Sequence, residues 1–269
     1  MPMPQTPNMT AVKKSQRYAD FQDVPSPVSA MAKSYPVGVG QEKHSHKRAQ
    51  LIFAVSGVME ISASGRHWLI PPHRALWVPP EVEHEARPAR MPFELRTIYV
   101  RVADVSAPLP LIPTLVYVTP LLRELIVRAV DLPIEEGVSG AAVQIVDLIF
   151  NELHFLPGGE FDMPRVSDPR LVRIEEKLRR DPGDARGVEE WAALANMSSR
   201  TLGRKLNTET GLSFAAWRQQ IRLTEAVVRL VRGESITSIA SSLGYENIGS
   251  FSRMFKQAMG VSPSELAIA

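Results

Sequence analysis

Apolar residues in the first part of the chain fall in short runs set apart by Gly and Pro, such as Leu51-Ile52-Phe53-Ala54-Val55, Val58-Met59-Glu60-Ile61 and Ala75-Leu76-Trp77-Val78. Runs of this length, rich in β-branched and aromatic residues, predict strands from about 35 to 105, with Ser64-Gly65 as a hairpin turn. Pro108, Pro110 and Pro113 close that part. Two stretches of helical periodicity follow, one from Pro120 to Val127 and one carrying Val143, Ile145, Val146, Ile149, Phe150 and Leu153. The second stripe is wide enough either for core packing or for a partner helix. Leu156 to Pro169 reads as a linker. Beyond it the pattern is helix, turn and helix again, with no strand signal.

That last part repeats itself. A short helix from Val188 to Ala195 meets Asn196-Met197, and Ser198 opens a second helix with Leu202 and Leu206 on one face. The later copy has Ile236, Ile239, Ala240 and Leu243 on a short helix, then Gly244-Tyr245, then a helix with Phe251 and Phe255 four apart. Asn and Gly are the residue types that accept the left-handed backbone needed between two crossed helices. Small Ala192 and Ala240 permit close approach. Between the copies, Ser213 to Arg232 reads as one helix ended by Gly233. Twenty residues span roughly 30 Å. Two recognition helices roughly 34 Å apart enter successive major grooves on one side of a duplex.

Charge agrees with a polyanion partner for this part. Residues 165–269 hold 16 Lys/Arg against 12 Asp/Glu, whereas residues 1–164 hold 15 against 17. The excess is mild, and it follows the helical repeat rather than leading it. The length of 269 residues suits two domains. There is no run long and apolar enough for a membrane span. Absence of cysteine removes disulfides and thiolate metal sites and fits a cytoplasmic protein. The first thirty residues, rich in Pro, Gln and Ser and without an apolar signal core, read as a disordered lead.

The stretches Met197–Leu206, Phe214–Gly233 and Ile236–Leu266 resemble the DNA-binding domain of the AraC/XylS family of bacterial regulators. The resemblance covers about 170–266. It implies that the first recognition helix presents Ser199, Arg200, Thr201, Arg204 and Lys205 to DNA, and the second Asn247, Ser250, Ser252, Arg253 and Lys256. Arg200 or Arg204 then reads guanine, while Lys256 and the serines hold phosphate. Gly203 and Gly249 depart from the family by offering no side chain, and Leu266-Ala267 replaces the usual Tyr-Arg. The plain alternative is a helical array with charged faces, since a lone helix-turn-helix pattern is often spurious. Two copies at the right spacing argue against it.

Five of the six histidines lie between 44 and 84. His44 and His46 share strand parity with Gln50, and His84 follows Trp77-Val78-Pro79-Pro80. This resembles the two motifs of the cupin family, with Gly38, His44, His46, Gln50 and Gly57 at the spacing of the first and Pro79 and His84 at that of the second. Gln50 stands where the family has glutamate, and Glu81 where it has a turn glycine. The resemblance implies a small barrel whose His44, His46, Gln50 and His84 line an effector pocket or hold a divalent metal, Zn²⁺, Ni²⁺ or Fe²⁺. The missing charge at Gln50 weakens a metal site. Satisfied core histidines are the bland alternative. His67, His73 and His154 read as surface or packing residues, and Trp68, Trp77, Phe53 and Tyr99 as core or pocket wall.

These readings together predict an α+β multidomain protein: a disordered lead at 1–30, a cupin-like sensor at 31–110, a helical connector at 115–158, a linker at 159–169, and an all-α double helix-turn-helix domain at 170–269. The helix-turn-helix units fall at about 188–209 and 236–259. The expected function is sequence-specific transcription regulation, with activation the commoner outcome in the family, controlled by a small-molecule effector or metal. Expected partners are double-stranded promoter DNA, the effector, RNA polymerase and a second copy of the chain, with no membrane. The competing class is a metal-dependent cupin enzyme fused to a DNA-binding domain. It is disfavoured by the neutral Gln50 and by the lack of a second acid/base pair beside it.

Overall fold

The computed structural model describes residues 15–105, 108–132, 140–156 and 162–267. A 3-10 turn at Tyr18–Phe21 leads into β1 (Val28–Tyr35), β2 (Gln41–His44), β3 (Ala49–Ser56), β4 (Met59–Ala63), β5 (Arg66–Ile70), β6 (Arg74–Val78), β7 (His84–Ala86), β8 (Phe93–Val100) and β9 (Thr114–Tyr117). Helices α1 (Pro120–Ala129) and α2 (Ala141–Asn151) follow, then the short strands β10 (His154–Phe155) and β11 (Asp162–Pro164). The rest is helical: α3 (Pro169–Arg180), α4 (Val188–Leu194), α5 (Ser199–Thr210), α6 (Phe214–Val231), α7 (Ile236–Ser242), α8 (Ile248–Met259) and α9 (Pro263–Ala267). The chain is therefore α+β, a β-rich N-terminal part followed by an all-α double helix-turn-helix.

Two antiparallel sheets face each other, ordered β1-β8-β3-β6-β9-β10 and β11-β5-β4-β7-β2. Strand β3 is buried on both faces up to Ala54, which explains its unbroken apolar run. Ile52 points between the sheets with Leu76, Val78 and Tyr99. Leu51 and Phe53 point outward with Trp77 and Ile98, where they are covered by α1. Helix α1 begins at Thr119, whose hydroxyl accepts from Leu122 N, and Pro120 takes the first helical position. Its stripe Leu122, Leu125, Ile126 and Ala129 is buried on the outer face of the sheet together with Ile149 of α2. Ser64 and Gly65 both have positive φ, as the expected hairpin turn requires.

The limits of the β-rich part differ from those the sequence predicts. Residues 1–14 of the expected disordered lead lie outside the described residues, but 15–30 are built into the fold. Arg48 is buried and needs acceptors, and the carbonyls of Gln22, Val24 and Pro27 supply them at 2.8, 2.6 and 3.3 Å. Phe21, fully buried, stacks on Tyr99. Strand β9 lies past the three prolines and still pairs with β6, so the sheet does not end at 110. Part of the expected linker at 159–169 lies outside the described residues. Of the remainder, β11 closes the edge of β5, and Asp168-Pro169 caps and opens α3.

In the helical part Leu202, Leu206, Trp191 and Trp217 form the first core. Phe251, Phe255, Ile239 and Leu243 belong to the second. Asn196 (φ 51°) and Gly244 (φ 78°) take the left-handed turns. Gly233 (φ 81°) ends α6. Ser262 and Glu265 cap α9 reciprocally, Ser262 N to Glu265 Oε2 at 2.6 Å and Glu265 N to Ser262 Oγ at 3.3 Å.

His67 on β5 lies beside Ser62 Oγ at 3.0 Å. Burial pushes its pKa down to about 4, with Arg87, Arg165 and Arg179 adding repulsion. The unfolded chain therefore binds a proton that the folded one refuses between about pH 6.5 and 4, so this group lowers stability as pH falls through that window. Urea midpoints at pH 7 and pH 5 are expected to differ less in His67→Gln than in the native chain. Equal drops in both proteins would contradict this.

Candidate DNA reader and effector cavity

Helix α5 starts at Ser198, whose hydroxyl accepts from Thr201 N at 3.2 Å. Arg200 and Arg204 project from it exposed, with no hydrogen bond or ion pair among the described residues. Ser199 and Thr201 are half-buried, and the Thr201 hydroxyl lies 2.9 Å from that of Ser198. Gly203 leaves open space beside them, so a duplex can approach closely. Lys205 Nζ sits 2.8 Å from Asp168 Oδ2, and Asp168 also takes two bonds from the Arg170 guanidinium. Those bonds hold the Asp168 carboxyl well below the usual carboxylate range. Lys205 thus ties α5 to the start of α3.

On α8 the division is similar. Asn247 is the cap residue: its Oδ1 accepts from Ser250 N at 2.8 Å and from Ser250 Oγ at 2.9 Å, so both side chains are already engaged. Ser252 is half-buried. Arg253 and Lys256 are exposed, and Arg253 has no partner among the described residues. The free guanidinium groups are therefore Arg200 and Arg204 in the first reader and Arg253 in the second.

Helix α6, with 18 residues, spans about 27 Å. Its polar face does what the sequence did not announce. Arg218 donates to the carbonyls of Asp184 and Arg186, and Arg222 Nε donates to Pro182 O at 2.8 Å, pinning the α3–α4 loop. Arg222 also lies over the Tyr245 ring, whose hydroxyl meets the Gln219 amide. One helix thereby grips the loop of the first unit and the turn of the second. The arginines stand at i and i+4, but nothing in their spacing names a carbonyl partner forty residues away.

Between the sheets lies a cavity of about 460 Å³, part of it open to solvent. Its apolar wall is made by Met31, Ile52, Met59, Ile61, Phe93 and Leu95, and Lys33 and Gln41 also line it. His44, His46 and His84 come together so that their ligand atoms all lie within 4.8 Å of one another. Tyr18 from the N-terminal turn lies 4.6 Å from the His44 ring. His67, His73 and His154 stand outside this cluster. Phe53 and Trp77 belong to the outer layer, whereas Tyr99 lines the cavity.

The hydrogen bonds fix which atoms face inward. Each Nδ1 sits against a backbone carbonyl: His44 to Glu42 O at 2.8 Å, His46 to Arg48 O at 2.6 Å and His84 to Val82 O at 2.9 Å. A carbonyl only accepts, so Nδ1 carries the proton and a neutral ring offers a lone pair at Nε2. Burial keeps His84 neutral by pushing its pKa down to about 4, and lowers that of His44. Thr97 gives its hydroxyl proton to Leu51 O at 3.0 Å and so can only accept from Gln50 Nε2 at 2.8 Å. Gln50 Oε1 is thereby turned toward His46 Nε2 at 2.9 Å and His84 Nε2 at 3.0 Å. Acceptors face one another with no proton of their own between them. Such a group suits a bound cation. The donor set fits a divalent metal held by His44, His46, His84 and Gln50.

Residues 35–127 match the family described as the AraC-like ligand binding domain, and residues 191–267 match a helix-turn-helix domain. The HTH-type transcriptional regulator NimR of Escherichia coli strain K12 is 30% identical over 220 residues, 82% of this chain and 80% of that protein. RipA of Corynebacterium diphtheriae, also an HTH-type transcriptional regulator, is 35% identical over 102 residues, 38% of this chain and 30% of its own length. ToxT of Vibrio cholerae strain SCE256 aligns over 91% of this chain and 96% of its own with 12% identity and a TM-score of 0.38. That likeness is too loose to carry an argument. No helix among the described residues is long and apolar enough to cross a membrane.

Replacing Arg204 with Ala is expected to weaken binding to a preferred DNA site by about 1–3 kcal/mol and to relax preference at one base position. Lys205→Ala is expected to weaken the preferred site and random DNA alike. Competition of the two variants against random DNA at fixed salt separates them. Loss of base preference in Lys205→Ala but not in Arg204→Ala would reverse the assignment.

Proposed function

We propose that this chain, which belongs to the AraC-type family of DNA-binding, helix-turn-helix transcription regulators with an AraC-like ligand-binding domain, is controlled by what its barrel cavity holds. The observation that carries the proposal is the set of lone pairs converging from His84, His46 and Gln50. They ask for an electron-pair acceptor, and a divalent cation held by His44, His46, His84 and Gln50 Oε1 is the effector that this donor set fits. With Gln50 neutral, such a cation keeps its full charge, which favours a reversible, sensing site over a tightly held catalytic one. The apolar wall supports a second reading. A small organic molecule would bury its body against Met59, Ile61 and Phe93 and offer N–H or O–H groups to the same lone pairs.

The reading is of a regulator and not an enzyme, acting where the DNA is, in the cytoplasm, with RNA polymerase as a further partner. We also propose a homodimer through α1 and α2. Leu121 and Leu148 are 51% and 45% exposed on these helices and would be covered in such a dimer. Sedimentation at micromolar concentration is expected to show a dimer, reduced to monomer by Leu121→Glu with Leu148→Glu. A monomer in the native protein would end this proposal.

Metal analysis of protein purified without a histidine tag, followed by Zn²⁺ titration, tests the cavity. About one equivalent is expected, with His84→Ala weakening it by at least about 100-fold, since even outer-shell changes cost 10–100-fold. Gln50→Glu is expected to tighten it by adding the missing charge. No bound metal means that the Gln50 amide is turned to give its N–H groups to both imidazoles, and the cation reading falls. The organic-effector reading then remains.

A further inference from the structure

Among the described residues, three arginine hydrogen bonds join the barrel to the reader. Arg90 Nη2 donates to Glu225 Oε2 on α6 at 2.7 Å. Arg232 Nη2, just past the end of α6, donates to Arg90 O at 2.7 Å. Arg74 Nη2 donates to Met259 O at the end of α8 at 2.7 Å. Between the first two, Val228 of α6 lies over Val58, Ala89 and Met91.

Arg90 has a second carboxylate within reach. Glu60 on β4 approaches it with Oε1 at 3.8 Å from Nη1, too far for a hydrogen bond. The other Glu60 oxygen is 3.7 Å from Arg87 Nη1. Glu60 is largely buried, and Oε1 is shut off from water with no hydrogen-bond partner among the described residues. A buried carboxylate oxygen therefore waits beside a guanidinium that is committed to the reader.

Strand geometry ties this unfilled acceptor to the cavity. Met59 and Ile61 line the cavity, so Glu60 between them points out toward Arg90. The neighbouring strand does the same. His84 and Ala86 of β7 line the cavity and pair with Ala63 and Ile61 of β4. Arg87 N then donates to Glu60 O at 2.9 Å, and Arg90 follows three residues on.

We propose that Arg90 is a two-position latch: paired with Glu225 it holds α6 against the barrel, and when an occupant of the cavity shifts β4 and β7 it passes to Glu60 and loosens that hold on α6. The latch rests on the reading of the cavity as the effector site. A movement of about 1 Å closes the gap to the length of a charge-assisted bond. One such bond replaces another, so the two positions are close in free energy, and a modest difference in ligand affinity shifts the balance. Because Arg218 and Arg222 tie the α3–α4 loop to α6, and Arg222 and Gln219 tie the Tyr245 turn to it, loosening α6 moves both readers together.

Hydrogen exchange of the α6 amides in the full chain tests this, with Zn²⁺ as the probe and the β3 and β8 amides as the control for intact folding. In metal-free protein Glu225→Gln is expected to raise exchange over residues 225–231 about tenfold, and Glu60→Gln to slow it, since the competing acceptor loses its charge. Zn²⁺ is expected to raise exchange in the native protein toward the Glu225→Gln level and to leave Glu60→Gln protected. If both variants exchange like the native chain without metal, or if Glu60→Gln responds to Zn²⁺ as fully as the native chain does, the latch is overturned. If Zn²⁺ does not bind at all, the cation reading fails by itself, and the metal-free comparison still decides the latch.

Discussion

Strand alternation is the constraint from which the rest of this molecule follows. On β3 it sends Ile52 inward with the amide of Gln50, and Leu51 and Phe53 outward beneath α1. On β4 it sends Met59 and Ile61 into the cavity and Glu60 out toward Arg90. A shift of either strand by one residue would exchange these faces, and on β4 it would put the Glu60 carboxylate in the apolar wall. The cavity, its helical cover and its contact with the DNA reader are therefore fixed by one register.

The second organising element is α6. It is a spacer whose rigidity comes from helical geometry, and a clamp because Arg218 and Arg222 satisfy backbone carbonyls of the α3–α4 loop. Gly183 in that loop lies so close to Ser242 O that a Cβ would collide with it. The two readers are thus held in one spatial relation and differ in chemistry. The first offers two free guanidinium groups, Arg200 and Arg204, whereas the second offers Arg253, with Asn247 and Ser250 spent on the cap.

Much of this was legible in the sequence where the signal is local. Asn196 and Gly244 marked the turns because few residue types accept that backbone, and Phe251 with Phe255 marked a helix face by spacing alone. The grouping of His44, His46 and His84 was readable from the cupin resemblance, whereas strand parity does not account for it, because His46 lies between β2 and β3 and not on a strand. What escaped has no local signature. Strands β10 and β11 have two and three residues, too few to show a period. The segment after Ser15 is polar in composition and is held by Arg48, whose three acceptors a composition count does not reveal. The ion pair of Lys205 with Asp168 joins positions 37 apart, and only the fold brings them together. The pairing of Arg90 with Glu225 spans 135 positions, and no spacing rule reaches so far.

In the proposed latch the cavity and the DNA reader are coupled. Thermodynamic linkage then demands that influence run both ways: whatever factor a cavity ligand applies to DNA affinity, DNA must apply to the affinity for that ligand. The most direct measurement is the Zn²⁺ dissociation constant of the full chain, taken without DNA and again with a saturating preferred DNA fragment. The account predicts that the two constants differ by the same factor by which Zn²⁺ changes affinity for that fragment. Identical constants, with Zn²⁺ bound in both cases, would contradict it.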